Sequence, residues 1–196
     1  MNEPHEHEVI DVQKEERTKR IFREVLEVIV IVAAALIITT VLRIYVIDQY
    51  AIPTGSMEPT IEINDRLFAE KVSYRFGDIQ PGDIVTFNDP IEPGRVLIKR
   101  VIAVGGQTVD LQNGVVLVDG VALDEPYTYG KESVPLDPMV GMAITYPYAV
   151  PEGYIWVMGD NRTNSLDSRY FGAISDSTVL GKALIRIWPL DRFGAL

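Results

Sequence analysis

The chain has no cysteine and only two histidines, His5 and His7, both in a charged leader ahead of its one long apolar run. Without cysteine, disulfides and thiolate metal sites are excluded. Without histidine beyond the leader, a Ser-His-Asp triad in the folded part is excluded too, and lysine becomes the leading candidate for a general base. Basic residues are in the minority, 18 against 28 acidic ones, for a net charge of -10 and a pI near 4.7. Nucleic acid as a partner is therefore disfavoured, because its phosphates require a basic footprint. The acidity reads as a solubility feature. There is no internal repeat and no low-complexity tract. At 196 residues the chain holds one domain of ordinary size plus appendages.

What is present begins with the apolar run, residues Val25 to Ile47. Its centre, Val28 to Leu42, carries no charge and no helix breaker, and Glu27 and Arg43 stand near its ends, within reach of headgroups. About 20 apolar residues suffice for a helix to cross the hydrocarbon core. A buried core helix and a cleaved secretory signal are the competing readings. Against the second, the leader is long and partly acidic, and no small-x-small site closely follows the run. Lys14, Arg17, Lys19, Arg20 and Arg23 precede the run, whereas Arg43 stands alone at its exit. This asymmetry predicts a cytoplasmic N-terminus, with everything beyond the span on the outer face of the cell membrane. The expected organisation is a charged, mobile cytoplasmic tail over 1–24, a signal-anchor span over 25–47, and an extracytoplasmic domain over 48–196.

Beyond the span, short β-branched runs alternate with turn signals. Arg66–Val72, Asp83–Phe87, Val96–Val104, Val115–Val118, Tyr154–Met158 and Ala183–Trp188 read as strands, punctuated by Pro93-Gly94, Gly105-Gly106, Asn113-Gly114 and Asp119-Gly120. No helical spacing is sustained after Ile47, so the fold class is mainly β, an antiparallel domain behind a single transmembrane helix. Residues 107–150, richer in Pro, Gly and Tyr, read as an inserted smaller β subdomain. Trp188, before Pro189, suits either a strand-end aromatic or a membrane-interface anchor.

Three elements carry chemistry. Ser56 lies on a Pro/Gly-punctuated turn, Ile52-Pro-Thr-Gly-Ser-Met-Glu-Pro-Thr60, a few residues past the span. Lys99 interrupts the run Val96-Leu-Ile-Lys-Arg-Val-Ile102, where alternation sends Lys99 and Arg100 to opposite faces. An ordinary lysine is neutral in only about one molecule in 2,500 at pH 7, but burial among apolar neighbours disfavours the ammonium. The third element is Gly159-Asp-Asn-Arg-Thr-Asn-Ser-Leu-Asp-Ser-Arg169, polar residues packed directly behind an apolar strand. Such a segment suits a hydrogen-bonded scaffold in which Asp160, Arg162, Asp167 and Arg169 form ion pairs, and Ser165 or Ser168 contacts a lysine. A Ca²⁺ loop is the rival, but the acidic spacing is not that of an EF-hand. No metal or other cofactor is expected.

In order behind an N-terminal anchor, these blocks resemble the motifs of type I signal peptidases, membrane-anchored Ser-Lys proteases that remove signal peptides from exported preproteins. The resemblance implies that Ser56 is the nucleophile and Lys99 its general base. It implies that Thr54 joins the Ser56 N–H in the oxyanion hole and that Ser165 orients the lysine. By the same match, Asp160, Arg162, Asp167 and Arg169 hold the site, while Tyr50, Ile52, Pro53, Met57, Ile61, Leu67 and Ile98 line shallow pockets for small side chains. The implied partners are signal peptides and the lipid bilayer. One position departs from the pattern: Gln107 follows Gly105-Gly106 where the family has Asp, which puts a loop contact in question.

Two other readings compete. A self-cleaving Ser-Lys repressor would carry a DNA-binding module where the span stands. An inactive membrane-tethered β module would bind peptides without cutting them, and the joint presence of Ser56 and Lys99 speaks against it.

Overall fold

The computed structural model describes residues 3–196. Helix α1 spans Glu3–Tyr45, and within it Lys19–Tyr45 is long and apolar enough to cross a membrane. The helix runs through the charged leader, expected to be mobile, as well as through the apolar run. Glu, Lys, Arg and Gln are good helix formers, and Arg20–Glu24 and Arg23–Glu27 make i,i+4 pairs on its surface. The helix also stops earlier than the apolar run does. Ile47 already pairs with Glu70 as a strand residue, and the Val46 carbonyl accepts from Lys71 N at 2.9 Å. Hydrophobicity is shared by the last helical turn and the first strand, so composition alone blurs that boundary.

From Tyr45 onward the chain forms a second compact unit. Among the described residues it holds twelve strands. They are β1 (Ile47–Ala51), β2 (Arg66–Glu70), β3 (Ile84–Asn88), β4 (Val96–Val104), β5 (Thr108–Gln112), β6 (Val115–Val118), β7 (Val121–Ala122), β8 (Tyr148–Ala149), β9 (Tyr154–Met158), β10 (Ile174–Ser175), β11 (Val179–Trp188) and β12 (Gly194–Ala195). Two one-turn helices, α2 (Ser73–Phe76) and α3 (Ser168–Phe171), interrupt them. All pairings are antiparallel. The fold class is thus mainly β, as expected. The large sheet runs β1-β2-β11-β3-β4-β9-β10 with β12 on β11, and the small one runs β7-β6-β5-β8. The small sheet is drawn wholly from the 107–150 segment. Its β5–β6 hairpin turns on Asn113 and Gly114, both at positive φ, as a tight hairpin turn demands.

Strand β4 organises the rest. It pairs with β3 on one side and β9 on the other, with Lys99 opposite Val85 and Val101 opposite Val157. Val85, Phe87, Val101, Ile155 and Val157 pack with Phe171 and Ile174 in one core cluster. A second core, around the fully buried Trp156, joins the two sheets through Ile102, Val109, Val116 and Val150. A third gathers Ile52, Met57, Ile61 and Leu67 with Ile84 and Ala183. At the end of β11, Trp188 is about half exposed (51%), and Leu190 and Phe193 beside it are also exposed.

Candidate active site

Between the exit of β1 and the start of β4 lies an open, mostly apolar cleft of about 310 Å³. Ser56 and Lys99 both line it. The turn carrying Ser56 is tied at both ends: Ile52 N donates to the Asp65 carbonyl (3.0 Å), Asn64 N to the Ile52 carbonyl (2.8 Å), and Ile61 N to the Met57 carbonyl (2.9 Å). The side chains of Met57 and Ile61 anchor it from below in the third core. Ser56 is thereby presented on a rigid loop, only 8% exposed.

Lys99 enters from β4. Its Nζ lies 2.6 Å from Ser56 Oγ and donates also to its neighbour's carbonyl, Ile98 O, at 3.0 Å. The side chain is 3% exposed. Burial pushes the amine down from 10.5 to about 8; Asp167 and Asp160 pull the other way, while Arg95 adds to the lowering. Among the described residues no carboxylate lies within ion-pairing distance of Nζ. Alternation holds as expected, and Arg100 leaves β4 on the other face, where it forks onto Asp160 with Nε–Oδ1 at 2.8 Å and Nη2–Oδ2 at 2.7 Å. The Tyr127 ring stacks beneath its guanidinium, 4.0 Å from centroid to Cζ.

The 159–169 segment wraps behind Ser56. Gly159 is required by close approach: a Cβ there would clash with Ser165 Oγ and with the Ser56 carbonyl oxygen. Asp167 and Arg169, both fully buried, form a bidentate pair, and Asp167 also caps α3 by accepting from Arg169 N. Ser168 Oγ accepts from Val157 N at 2.9 Å, stitching the segment to β9. The side chains of Asp160 and Arg162 do not pair with each other, although Arg162 N donates to the Asp160 carbonyl at 3.0 Å. Asp160 belongs to Arg100, and Arg162 belongs to Glu125, from the 107–150 segment, and to Ser133.

The expected site residues therefore divide. Tyr50, Ile52, Pro53, Thr54, Ser56, Ile98 and Lys99 line the cleft together. Met57, Ile61 and Leu67, expected as pocket walls, are completely buried and form the floor beneath it. Met57 and Ile61 sit in a turn, where no strand alternation says which way they point, whereas Leu67 faces the core from β2. Ser165, expected to orient the lysine, lies against Gly159, but among the described residues its buried Oγ has no hydrogen-bond partner, and the Ile98 carbonyl takes the second donor of Lys99 instead. Asn164, Leu166 and Phe171 close the cleft from the far side and were not anticipated. Nor was Asn161, whose Nδ2 donates to the Gly55 carbonyl (2.8 Å) and whose N–H donates to the Ser56 carbonyl (3.1 Å). Its place inside the polar block was the available signal. Gln107 settles the loop contact: its Oε1 accepts from Val104 N at 3.0 Å, as a carboxylate there would, while its Nε2 donates to Asp119 at 3.2 Å.

Comparison with known proteins bears on what this site is. The family described as signal peptidase, peptidase S26, matches residues 25–188. The probable signal peptidase I-1 of Synechocystis sp. is 41% identical over 177 residues, covering 87% of this chain and 86% of that protein. Signal peptidase I of Mycobacterium tuberculosis is 34% identical over 220 residues (87% and 74% covered), and that of Bacillus caldolyticus 34% over 164 residues (81% and 89%). A match spanning the apolar helix, the cleft and the polar segment alike leaves one assignment: the chain belongs to the signal peptidase family, peptidase S26.

Proposed function

We propose that this chain is a membrane-anchored serine endopeptidase that removes signal peptides from exported preproteins through a Ser56–Lys99 dyad. The observation that carries the reading is Nζ of Lys99, 2.6 Å from Ser56 Oγ, in surroundings that push its pKa down to about 8. At pH 7 such an amine is neutral in about one molecule in ten, against about one in several thousand for an ordinary lysine. The neutral amine accepts the hydroxyl proton as Oγ attacks the scissile carbonyl.

The developing oxyanion needs donors. Among the described residues no acceptor meets Ser56 N–H, which leaves it available, and Thr54, exposed on the cleft wall, supplies a hydroxyl beside it. The ammonium formed on Lys99 returns its proton to the leaving amine, breaking the peptide bond and leaving an ester on Ser56. Lys99, neutral again, takes a proton from water, which attacks the ester and frees the cleaved signal peptide. Asp160, Arg162, Asp167 and Arg169 contribute by holding the segment behind the nucleophile, and Ser165 by packing against Gly159.

Substrate enters as an extended segment between the end of β1 and the start of β4, where its backbone can pair and alternate side chains meet Tyr50, Ile52, Pro53 and Ile98. With Met57, Ile61 and Leu67 filling the floor, the pockets stay shallow. The first and third residues before the cut must then be small. The chain is organised as a tail over 1–24, a span that begins near Val25 and ends with the helix at Tyr45, and a catalytic domain beyond it with its subdomain at 107–150. The span places the N-terminus in the cytoplasm and the cleft on the outer face of the cell membrane, by the excess of lysine and arginine before it. Incubating the purified chain with a synthetic signal peptide tests the reading. Cleavage after a small residue is expected, with loss of activity in Ser56→Ala and in Lys99→Ala while the fold is retained. Undiminished cleavage by either folded variant would end the dyad assignment.

A further inference from the structure

Behind the oxyanion donor runs a chain of three hydrogen-bonded groups that ends on a lysine of the 107–150 segment. Asn161, 6% exposed, donates from Nδ2 to the carbonyl of Gly55 at 2.8 Å. That carbonyl belongs to the same peptide unit as the N–H of Ser56. Because the unit is planar and trans, its C=O and N–H point in opposite directions. Fixing the oxygen on Asn161 therefore aims the Ser56 N–H the other way, toward the substrate carbonyl. At its other end, Asn161 Oδ1 accepts from Lys131 Nζ at 2.7 Å, with Thr163 Oγ1 a distant second donor at 3.5 Å. A lysine ammonium can only donate, so it dictates which end of the amide is oxygen and which is the NH₂ that faces Gly55.

Lys131 is itself held. Its N–H donates to the Thr128 carbonyl (3.2 Å), and Ser133 N donates to the Gly114 carbonyl (2.8 Å). On either side of it, Glu125 and Ser133 both bond the buried guanidinium of Arg162. The lysine is thus delivered to Asn161 by a braced loop.

We propose that Lys131 is a positioning residue for catalysis, acting through Asn161 and the Gly55 carbonyl to orient and polarise the Ser56 N–H that stabilises the oxyanion. Hydrogen bonds in series polarise one another, so a cation at the far end makes the last donor stronger, and most so when negative charge develops in front of it. This rests on the Ser56–Lys99 reading above. No covalent bond changes along the relay, and its contribution falls on the transition state rather than on substrate binding.

The test uses the full chain in detergent micelles with a synthetic signal-peptide substrate. A peptide aldehyde ending at the cut site serves as the transition-state probe, since its adduct with Ser56 carries an oxygen facing the same N–H. Lys131→Met, which keeps the apolar stem and removes the donors, is expected to lower kcat about tenfold, less than the roughly 10²–10³ lost when an oxyanion donor itself is removed. KM and the thermal midpoint stay as in the parent, the aldehyde inhibition constant rises by the same factor as kcat falls, and Lys131→Arg restores most of the activity. Parent-like kcat and aldehyde affinity in Lys131→Met would overturn the proposal. So would a loss confined to KM, or a Lys131→Arg variant as impaired as Lys131→Met. Ser56→Ala, run alongside, separates the two layers: an inactive Ser56→Ala leaves the dyad standing whatever Lys131 does, whereas an active one removes the dyad and the relay together.

Discussion

Lys99 and Arg100 are neighbours on one strand, and the fold treats their charges in opposite ways. On the face of β4 turned from the cleft, Arg100 meets Asp160, and nearby Arg162 meets Glu125 and Arg169 meets Asp167, every guanidinium bonded to a carboxylate. On the cleft face, Lys99 is nearly as buried as Arg162 and Arg169, but among the described residues its amine hydrogen-bonds only to a hydroxyl and a carbonyl. The domain plainly has the means to pair a buried cation. Leaving one without a counter-ion destabilises the folded state and makes the amine easier to deprotonate, which is the condition a lysine base requires. The paired side stores structural order; the unpaired position is where the proposed reactivity resides.

The contrast can be broken most severely at Lys99. Lys99→Met is expected to lower cleavage by roughly 10⁴-fold or more, as loss of a general base does. The same variant should be more stable than the parent. The folded amine titrates near 8 and the unfolded one at its ordinary 10.5, so below pH 8 the unfolded chain is favoured by about 3 kcal/mol at this residue. That penalty is fully present below pH 8, shrinks between 8 and 10.5, and vanishes above. Urea melts at pH 7 and pH 10 should show the stability gain of Lys99→Met at the first and much less of it at the second.

On the paired side the sign reverses. Arg169→Met leaves the fully buried Asp167 without its fork and should cost about 3–5 kcal/mol in a denaturant titration. Arg100→Met exposes the same principle more gently, about 2–3 kcal/mol, because Arg100 is partly accessible. It also reaches across the strand: an unneutralised Asp160 favours the Lys99 ammonium, so the inflection of kcat/KM against pH should move upward. Smallest is Gln107→Asp, which removes a donor to Asp119 and sets two carboxylates near one another on an exposed loop. It should change the melting midpoint by no more than about 0.5 kcal/mol equivalent and leave cleavage unaltered.

How far these features could be read from the sequence follows a physical line. Strands β4, β6 and β9 were bounded correctly because β-branched runs between strong turn signals leave little freedom, and β4's alternation placed Lys99 and Arg100 on opposite faces before any coordinates. The proximity of Ser56 to Lys99 came from motif order, not from local pattern. Partners separated by long stretches of chain were out of reach. Arg162 finds Glu125 thirty-seven positions upstream, in a segment with no sustained periodicity. Likewise, whether Met57 and Ile61 face a pocket or a core depends on how a turn packs, which no spacing rule encodes. The end of α1 was misplaced for a related reason, since Val46 and Ile47 are as apolar inside a helix as at the start of a strand.

The central claim, an amine at position 99 that loses its proton near pH 8 instead of 10.5 and faces the Ser56 hydroxyl, is tested most directly by the pH dependence of acylation under single-turnover conditions. The rate constant should rise with pH through one ionisation near 8, and that ionisation should be absent from Lys99→Met. A rate still climbing tenfold per unit beyond pH 9, or one indifferent to pH from 6 to 10, would contradict it.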